Sequence, residues 1–313
     1  MHLCSEPRVS VVVPAYNAQD YIVETLESAI NQRFYSFEII VVDDGSTDET
    51  HAIVEKYRDR GVILLTQSNA GIGAARNRAL SAARGEFIAL LDADDVWEPE
   101  YLQTMIAFLD QNPEVSIAFS DQLFFGKSKF AGKKFQDIYP PSPPITFAKL
   151  AAGISHISIS ATLRCDVFTR VGMFEQSEAI KGGEDFDLWL RALHAGCRIE
   201  PVRSVLARYR RHVDSLSSSK SMEKAALYAL GKWRGTDSLT APERQAIEAT
   251  YLRIQSYLDV RAAISHIHNG EYILASAALR RACEHNPKWR YRAARLGLAL
   301  WPGFTRAALR GMS

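Results

Sequence analysis

Leu90-Leu91-Asp92-Ala93-Asp94-Asp95-Val96-Trp97 completes an apolar run that begins at Phe87 and ends in three carboxylates within four positions. Phe87-Ile88-Ala89-Leu90-Leu91 reads as a buried strand. Like charges crowded at a strand's C-terminal edge repel one another unless a cation sits among them. A hard divalent ion, Mg²⁺ or Mn²⁺, takes oxygen ligands and shares them with a substrate's phosphates. An Asp-rich turn capping a helix that begins near Pro99 explains the same residues, because aspartate accepts backbone N–H bonds there. From these eight residues alone both readings stay open.

Upstream, the strand-then-polar pattern recurs. Val9-Ser10-Val11-Val12-Val13 is a β-branched run stopped by Pro14, and Asp20 to Gln32 carries helical spacing through Tyr21, Leu26, Ala29 and Ile30. Phe37 to Val42 is a second strand running into Asp43-Asp44-Gly45-Ser46, with a capped helix expected over Thr47 to Tyr57. Val62 to Thr66 is a third, followed by Asn69-Ala70-Gly71-Ile72-Gly73 and a helix to Ala83. This alternation gives an α/β fold, a mostly parallel sheet flanked by helices, whose ligand sits beyond the strands' C-terminal ends. Tyr16, Asn17, Asp43, Asp44, Asn69, Asp92 and Asp94 all collect there.

Composition narrows the function classes. With 313 residues, 47% hydrophobic and a formal net charge of +1, the chain suits one large domain plus an accessory one, and nucleic acid is not an expected partner. Cys4, Cys165, Cys197 and Cys283 form no C-x-x-C pair, so neither a zinc site nor a disulfide framework is expected, and a reducing cytoplasm fits. Met1 to Arg8 lacks an apolar core and no apolar run reaches about 18 residues, so neither a signal peptide nor a transmembrane helix is expected.

Six segments in order carry a resemblance: Val12 to Asn17, Val41 to Asp48, Asn69 to Asn77, Leu91 to Asp95, Gly182 to Arg191 and Tyr209 to Ser217. Together they resemble the family 2 glycosyltransferases, which have the GT-A fold. The resemblance covers roughly the first 215 residues. It implies that Pro14 and Tyr16 wall the nucleotide pocket and that Asp44 accepts a hydrogen bond from the base, which suits uracil. Asp43 would join Asp44 in the nucleotide-sugar site, and helix capping before Thr47 explains it as well. Arg76 would meet the diphosphate or base, and Asp92 with Ala93 the ribose or donor sugar. Asp94 would hold Mn²⁺ or Mg²⁺, with His212 completing the metal site and Asp95 capping the next helix. Glu184 and Asp185, at a helix start, would supply the catalytic base, with Asp185 preferred. Asn69, Gly71, Gly73 and Asn77 read as turn and packing residues.

For the remaining chain, Val115 to Asp121 and His156 to Ala161 read as strands, Phe124 to Pro144 as a loop near the acceptor, and Leu188, Trp189 and Ala192 as core. Beyond Ser215 the pattern is helical: residues 216–245 read as a connection and 246–313 as a small all-helical domain with one tetratricopeptide-like hairpin. The expectation is an inverting glycosyltransferase moving a sugar from a nucleotide sugar, a UDP-sugar by the resemblance, to a glycan or lipid-linked acceptor in bacterial surface polysaccharide synthesis. A nucleotidyltransferase acting on sugar phosphates and a non-catalytic protein that binds partners through the helical domain are the alternatives. A homo-oligomer is left open. After Glu284 basic and aromatic residues alternate with no acid, which suits peripheral contact with the inner face of the cell membrane.

Overall fold

The computed structural model describes residues 6–212 and 222–286, with 291, 292 and 294. Strand β1 (Val9–Ala15) leads to helix α1 (Ile22–Ile30), β2 (Phe37–Asp43) to α2 (Thr50–Glu55), and β3 (Val62–Thr66) to α3 (Ile72–Ala82). Strands β4 (Phe87–Leu90) and β5 (Val96–Trp97) flank the acidic turn, and α4 (Tyr101–Gln111) follows. The chain continues through β6 (Val115–Gly126), α5 (Phe135–Ile138), α6 (Phe147–Ala151), β7 (Ala161–Arg164), α7 (Asp166–Val171), α8 (Glu184–His194) and β8 (Arg198–Arg211). Helices α9 (Met222–Gly231), α10 (Ala241–His268) and α11 (Tyr272–His285) complete it.

The eight strands form one sheet in the order β3-β2-β1-β4-β7-β6-β8-β5. The first four are parallel, and every residue of β1 is buried, which explains its unbroken apolar sequence: helices cover both faces. Strand β7 joins β4 and β6 antiparallel, β8 runs parallel to β6, and β5 pairs antiparallel with β8. The sheet is therefore mixed beyond β4. Strand order reverses between β1 and β4, so the crevice outside their carboxyl ends, at Tyr16 and Asp92, is the natural ligand position.

Three expectations need correction. Residues 156–160 form no strand: Ser120 bonds to Ser160 through backbone (3.0 Å) and side chain (3.1 Å), but the ladder starts only at Ala161. Strand β6 runs on to Gly126, into the segment expected as loop, because β8 pairs with it as far as Gly126 and Arg211. Asp95 does not cap α4, whose N-cap is Glu100 without a side-chain bond. It is buried and accepts the Arg210 N–H of β8 at 2.8 Å instead.

The chain divides into two compact units, Met1–Ala229 and Leu230–Ser313. In the second, α10 starts with a capping box: Thr240 N–H donates to Glu243 at 2.8 Å, and Pro242 occupies the first turn. Ala263, Ile267, Ala275, Ala278 and Leu279 form the core between α10 and α11, the small residues allowing close approach. Among the described residues no helix is long and apolar enough to cross a membrane. Most of the basic and aromatic residues after Glu284 lie outside the described residues, as does the motif beyond His212 to Ser217.

Candidate active site

The site is assembled from four strand ends and two helix starts. After β1, Pro14 is buried and Tyr16 is half exposed (51%), a ring presented to solvent at the crevice. The loop after β1 is locked to the loop after β2. Asn17, at φ +48°, accepts from Thr47 N–H (2.8 Å) and donates its own N–H to Ser46 Oγ (3.0 Å), while Ala18 N–H reaches Thr50 Oγ1 (2.7 Å).

Asp43 and Asp44 divide the labour at the end of β2. Asp43 accepts from Ser46 N–H at 3.0 Å and lies 2.9 Å from His51 Nδ1, so it shapes the turn rather than capping α2 with its side chain. Asp44, almost fully buried, accepts from Ala70 N–H (2.9 Å), Gly71 N–H (2.8 Å) and Gln67 Nε2 (2.7 Å). Its carboxylate thus fixes the glycine loop before α3. Gly45 sits at φ +73°, and a Cβ there would come within 2.7 Å of Asn69 N.

Arg76 projects from α3 into the interior at 3% exposure, and its Nη2 donates to Asp92 Oδ1 at 2.6 Å. The guanidinium also lies over the Phe174 ring, 5.2 Å from its centroid. Burial alone would lower its pKa, but Asp92, Glu184 and Asp185 together more than offset that and hold it above the ordinary value. Arg76 is therefore the shared counter-ion of the central acidic turn and the Glu-Asp pair, which the fold brings together from positions nearly a hundred residues apart. Among the described residues the buried Arg76 Nε has no hydrogen-bond partner.

Helix α8 begins with that pair. Glu184 is buried and turns back onto Gly182 N–H (3.0 and 3.1 Å), closing its own helix start. Asp185 is half-buried and bonds Phe186 N–H at 2.7 Å. Burial raises both carboxyl pKa values; Arg76 opposes this in each, and Asp92 pushes Asp185 further up. Asp187 faces away, ion-paired with Arg191 at 2.8 Å, while Leu188, Trp189 and Ala192 are core. At Gly73 a Cβ would stand 2.3 Å from Glu175 O, so glycine is needed where α3 meets the segment before α8.

Asp94 meets His212 across the turn, Oδ2 to Nε2 at 2.9 Å, and the Tyr21 ring packs against the imidazole with centroids 4.7 Å apart. A carboxylate oxygen and an imidazole nitrogen at this separation suit two neighbouring positions on Mn²⁺ or Mg²⁺. Among the described residues no group of three or more His, Cys, Asp or Glu side chains forms a complete cage.

Two further residues hold this turn. Thr25 of α1, fully buried, places its hydroxyl 2.9 Å from Ala93 O and 2.8 Å from Asp95 O. Arg210 donates through Nε to Asp94 O at 2.7 Å, pairs with Glu24, and is sandwiched between Tyr21 (5.0 Å) and Phe125 (4.2 Å). A threonine inside a helical apolar stripe is a weak signal, and the arginine's inward direction has none.

Comparison with known proteins identifies the family and the fold. The sequence profile described as Glycosyl transferase family 2 matches residues 10–169. The chain is 31% identical over 219 residues to the UDP-Glc:alpha-D-GlcNAc-diphosphoundecaprenol beta-1,3-glucosyltransferase WfaP of Escherichia coli, covering 69% of this chain and 82% of that protein. It is also 31% identical over 220 residues to the putative teichuronic acid biosynthesis glycosyltransferase TuaG of Bacillus subtilis (strain 168), covering 69% and 83%. In fold it resembles S. aureus TarS 1-349 at TM-score 0.67 and 22% identity, covering 96% of this chain and 90% of that one. The mannosyltransferase PcManGT from Pyrobaculum calidifontis, solved with GDP-Man and Mn²⁺, resembles it at TM-score 0.60 and 19% identity, covering 98% and 86%. The profile spans the switch point, the glycine loop and the acidic turn, and with the two relatives it shows that this chain belongs to glycosyl transferase family 2.

Proposed function

We propose that the protein transfers a sugar from a nucleotide sugar, a UDP-sugar, to an acceptor hydroxyl with inversion at the anomeric carbon, supported by a divalent metal. The observation that carries this reading is the convergence on Arg76 of Asp92 from the acidic turn and the Glu184-Asp185 pair from α8. Tyr16 and the Asp44-bound glycine loop would receive the base, Asp44 keeping one carboxylate lone pair after its three internal bonds. Asp92 with the Ala93 backbone would meet the ribose or sugar. Asp94 and His212 would hold Mn²⁺ or Mg²⁺, which supplies Lewis-acid stabilisation of the departing diphosphate.

Asp185 takes the proton of the acceptor hydroxyl as that oxygen bonds to the anomeric carbon. The bond from that carbon to the donor's phosphate oxygen breaks on the opposite face, and its electron pair leaves with the nucleoside diphosphate. The E. coli relative is named for UDP-Glc and a diphosphoundecaprenol acceptor, which supports a glycan or lipid-linked saccharide as the acceptor class here. Asp185→Asn should retain fold and donor affinity while lowering transfer at least about 100-fold. Transfer, donor binding and melting temperature measured together test this; near-normal transfer by Asp185→Asn, or a loss confined to Glu184→Gln, contradicts it.

A further inference from the structure

The segment between β6 and α5, Gly126-Lys127-Ser128-Lys129-Phe130-Ala131-Gly132-Lys133-Lys134, contains four lysines and no acid. It is a closed hairpin. Phe124 N–H donates to Lys133 O at 2.9 Å, Gly132 N–H to Phe124 O at 2.8 Å, and Leu123 bridges to Lys134. Its apolar side chains are used internally: Phe124 is buried and packs against Phe130, Phe135 and Tyr209 with centroids 5.4 to 6.0 Å apart. Phe125 is covered by Arg210 and Arg208. What the hairpin offers outward is charge. Lys127, Lys129, Lys133 and Lys134 are all exposed and form no ion pair among the described residues, and Lys129 rests on the Phe130 ring at 5.1 Å.

The position gives this charge a direction. Gly126 pairs with Arg211, the residue before His212, so the hairpin grows from the rim of the candidate active site. With the aromatic residues committed to the hairpin's own packing, deep apolar insertion into a bilayer is not available. Several lysines on one projection, without an ion pair among the described residues, suit attraction to a negatively charged lipid surface, within about one screening length of it. We propose that the 126–134 hairpin docks the protein electrostatically on an anionic membrane, with the catalytic crevice turned toward acceptors at that surface.

Sedimentation of the full-length protein with phosphatidylglycerol vesicles tests this independently of catalysis. Binding is expected at low salt, and not to phosphatidylcholine vesicles, with release at about 1 M salt, where screening shortens to about 3 Å. Replacing all four lysines by glutamine should weaken partitioning at least about 100-fold, since each basic residue near such a surface strengthens binding severalfold. Replacing all four by arginine should preserve it. Equal binding of the glutamine variant would place the attraction elsewhere, such as the residues after Glu284, and would overturn the proposal. Failure of wild type to bind phosphatidylglycerol, failure of the arginine variant, or release by inorganic pyrophosphate at matched ionic strength would do the same, the last by showing a diphosphate site instead of a lipid surface.

Discussion

Arg76 Nη2 and Asp92 Oδ1 lie 2.6 Å apart, joining the helix after the glycine loop to the acidic turn in one ion pair whose guanidinium is buried and whose carboxylate is half-buried. One guanidinium answers Asp92 directly and Glu184 and Asp185 through space, so the crevice keeps an excess of negative charge. That excess suits a site that admits its diphosphate together with a divalent cation, and it makes Arg76 an organising residue before any ligand arrives.

Removing Arg76 should therefore harm the fold as well as the chemistry. Arg76→Met leaves the buried Glu184 and the half-buried Asp92 and Asp185 without their shared cation and is expected to cost about 3–5 kcal/mol in urea unfolding. Asp92→Asn should cost less, because Glu184 and Asp185 still face the guanidinium. A loss below about 1 kcal/mol for Arg76→Met would contradict the shared counter-ion.

Asp95 should behave as an anchor of β8. Asp95→Ala orphans the Arg210 N–H and is expected to cost about 1–3 kcal/mol, whereas Asp95→Asn keeps an acceptor oxygen and should cost less. Chemical denaturation of both variants without metal distinguishes them; equal losses would point to charge in place of the hydrogen bond.

How far the sequence could be read follows from where each element finds its partners. Strands β1, β2 and β4 are covered on both faces, so their apolar runs announced them, and polar residues at their ends marked the crevice. Asp92, Asp94, Glu184 and Asp185 were legible as acids after a strand or at a helix start. Strand β8 was not, because Arg198–Arg211 mixes arginines, Glu200 and Pro201 and becomes a strand only beside β6 and β5. The segment at 156–160 alternates like a strand, yet Ser158 and Ser160 are buried there, and Ser160 bonds to Ser120, a distant partner that local alternation cannot reveal. The same limit concealed Thr25 and the tie that Arg210 makes to the acidic turn, and turned Asp95 from a cap into a tie.

Asn77 illustrates a packing residue with a measurable role. Its side chain donates to Phe174 O at 2.8 Å and accepts Phe174 N–H at 2.9 Å, fixing α3 against the segment before α8. Asn77→Leu orphans both groups and should cost about 2–5 kcal/mol, read by denaturant titration. A near-neutral effect would show that the two elements are held by other contacts.

The pH profile should report Asp185. Burial, with Asp92 nearby, raises its pKa despite Arg76, and the base must be ionised to accept a proton. Transfer should therefore fall on acidification through a midpoint above about 3.9, the ordinary aspartate value. The sign for stability is opposite: a raised folded pKa penalises the ionised form. Asp185→Asn should melt at or above wild type at pH 8, with the margin shrinking as pH falls through that midpoint. An acid limb at or below the ordinary value, with no change in the melting comparison, would contradict the shift.

Titration calorimetry of UDP with and without Mn²⁺, on wild type and on Asp94→Ala, tests the central claim most directly. Wild type should bind UDP at least about tenfold more tightly with Mn²⁺, a difference of about 1.4 kcal/mol, and Asp94→Ala should lose that gain while keeping its fold. Absence of UDP binding by wild type in either condition, or an undiminished Mn²⁺ effect in Asp94→Ala, would contradict it.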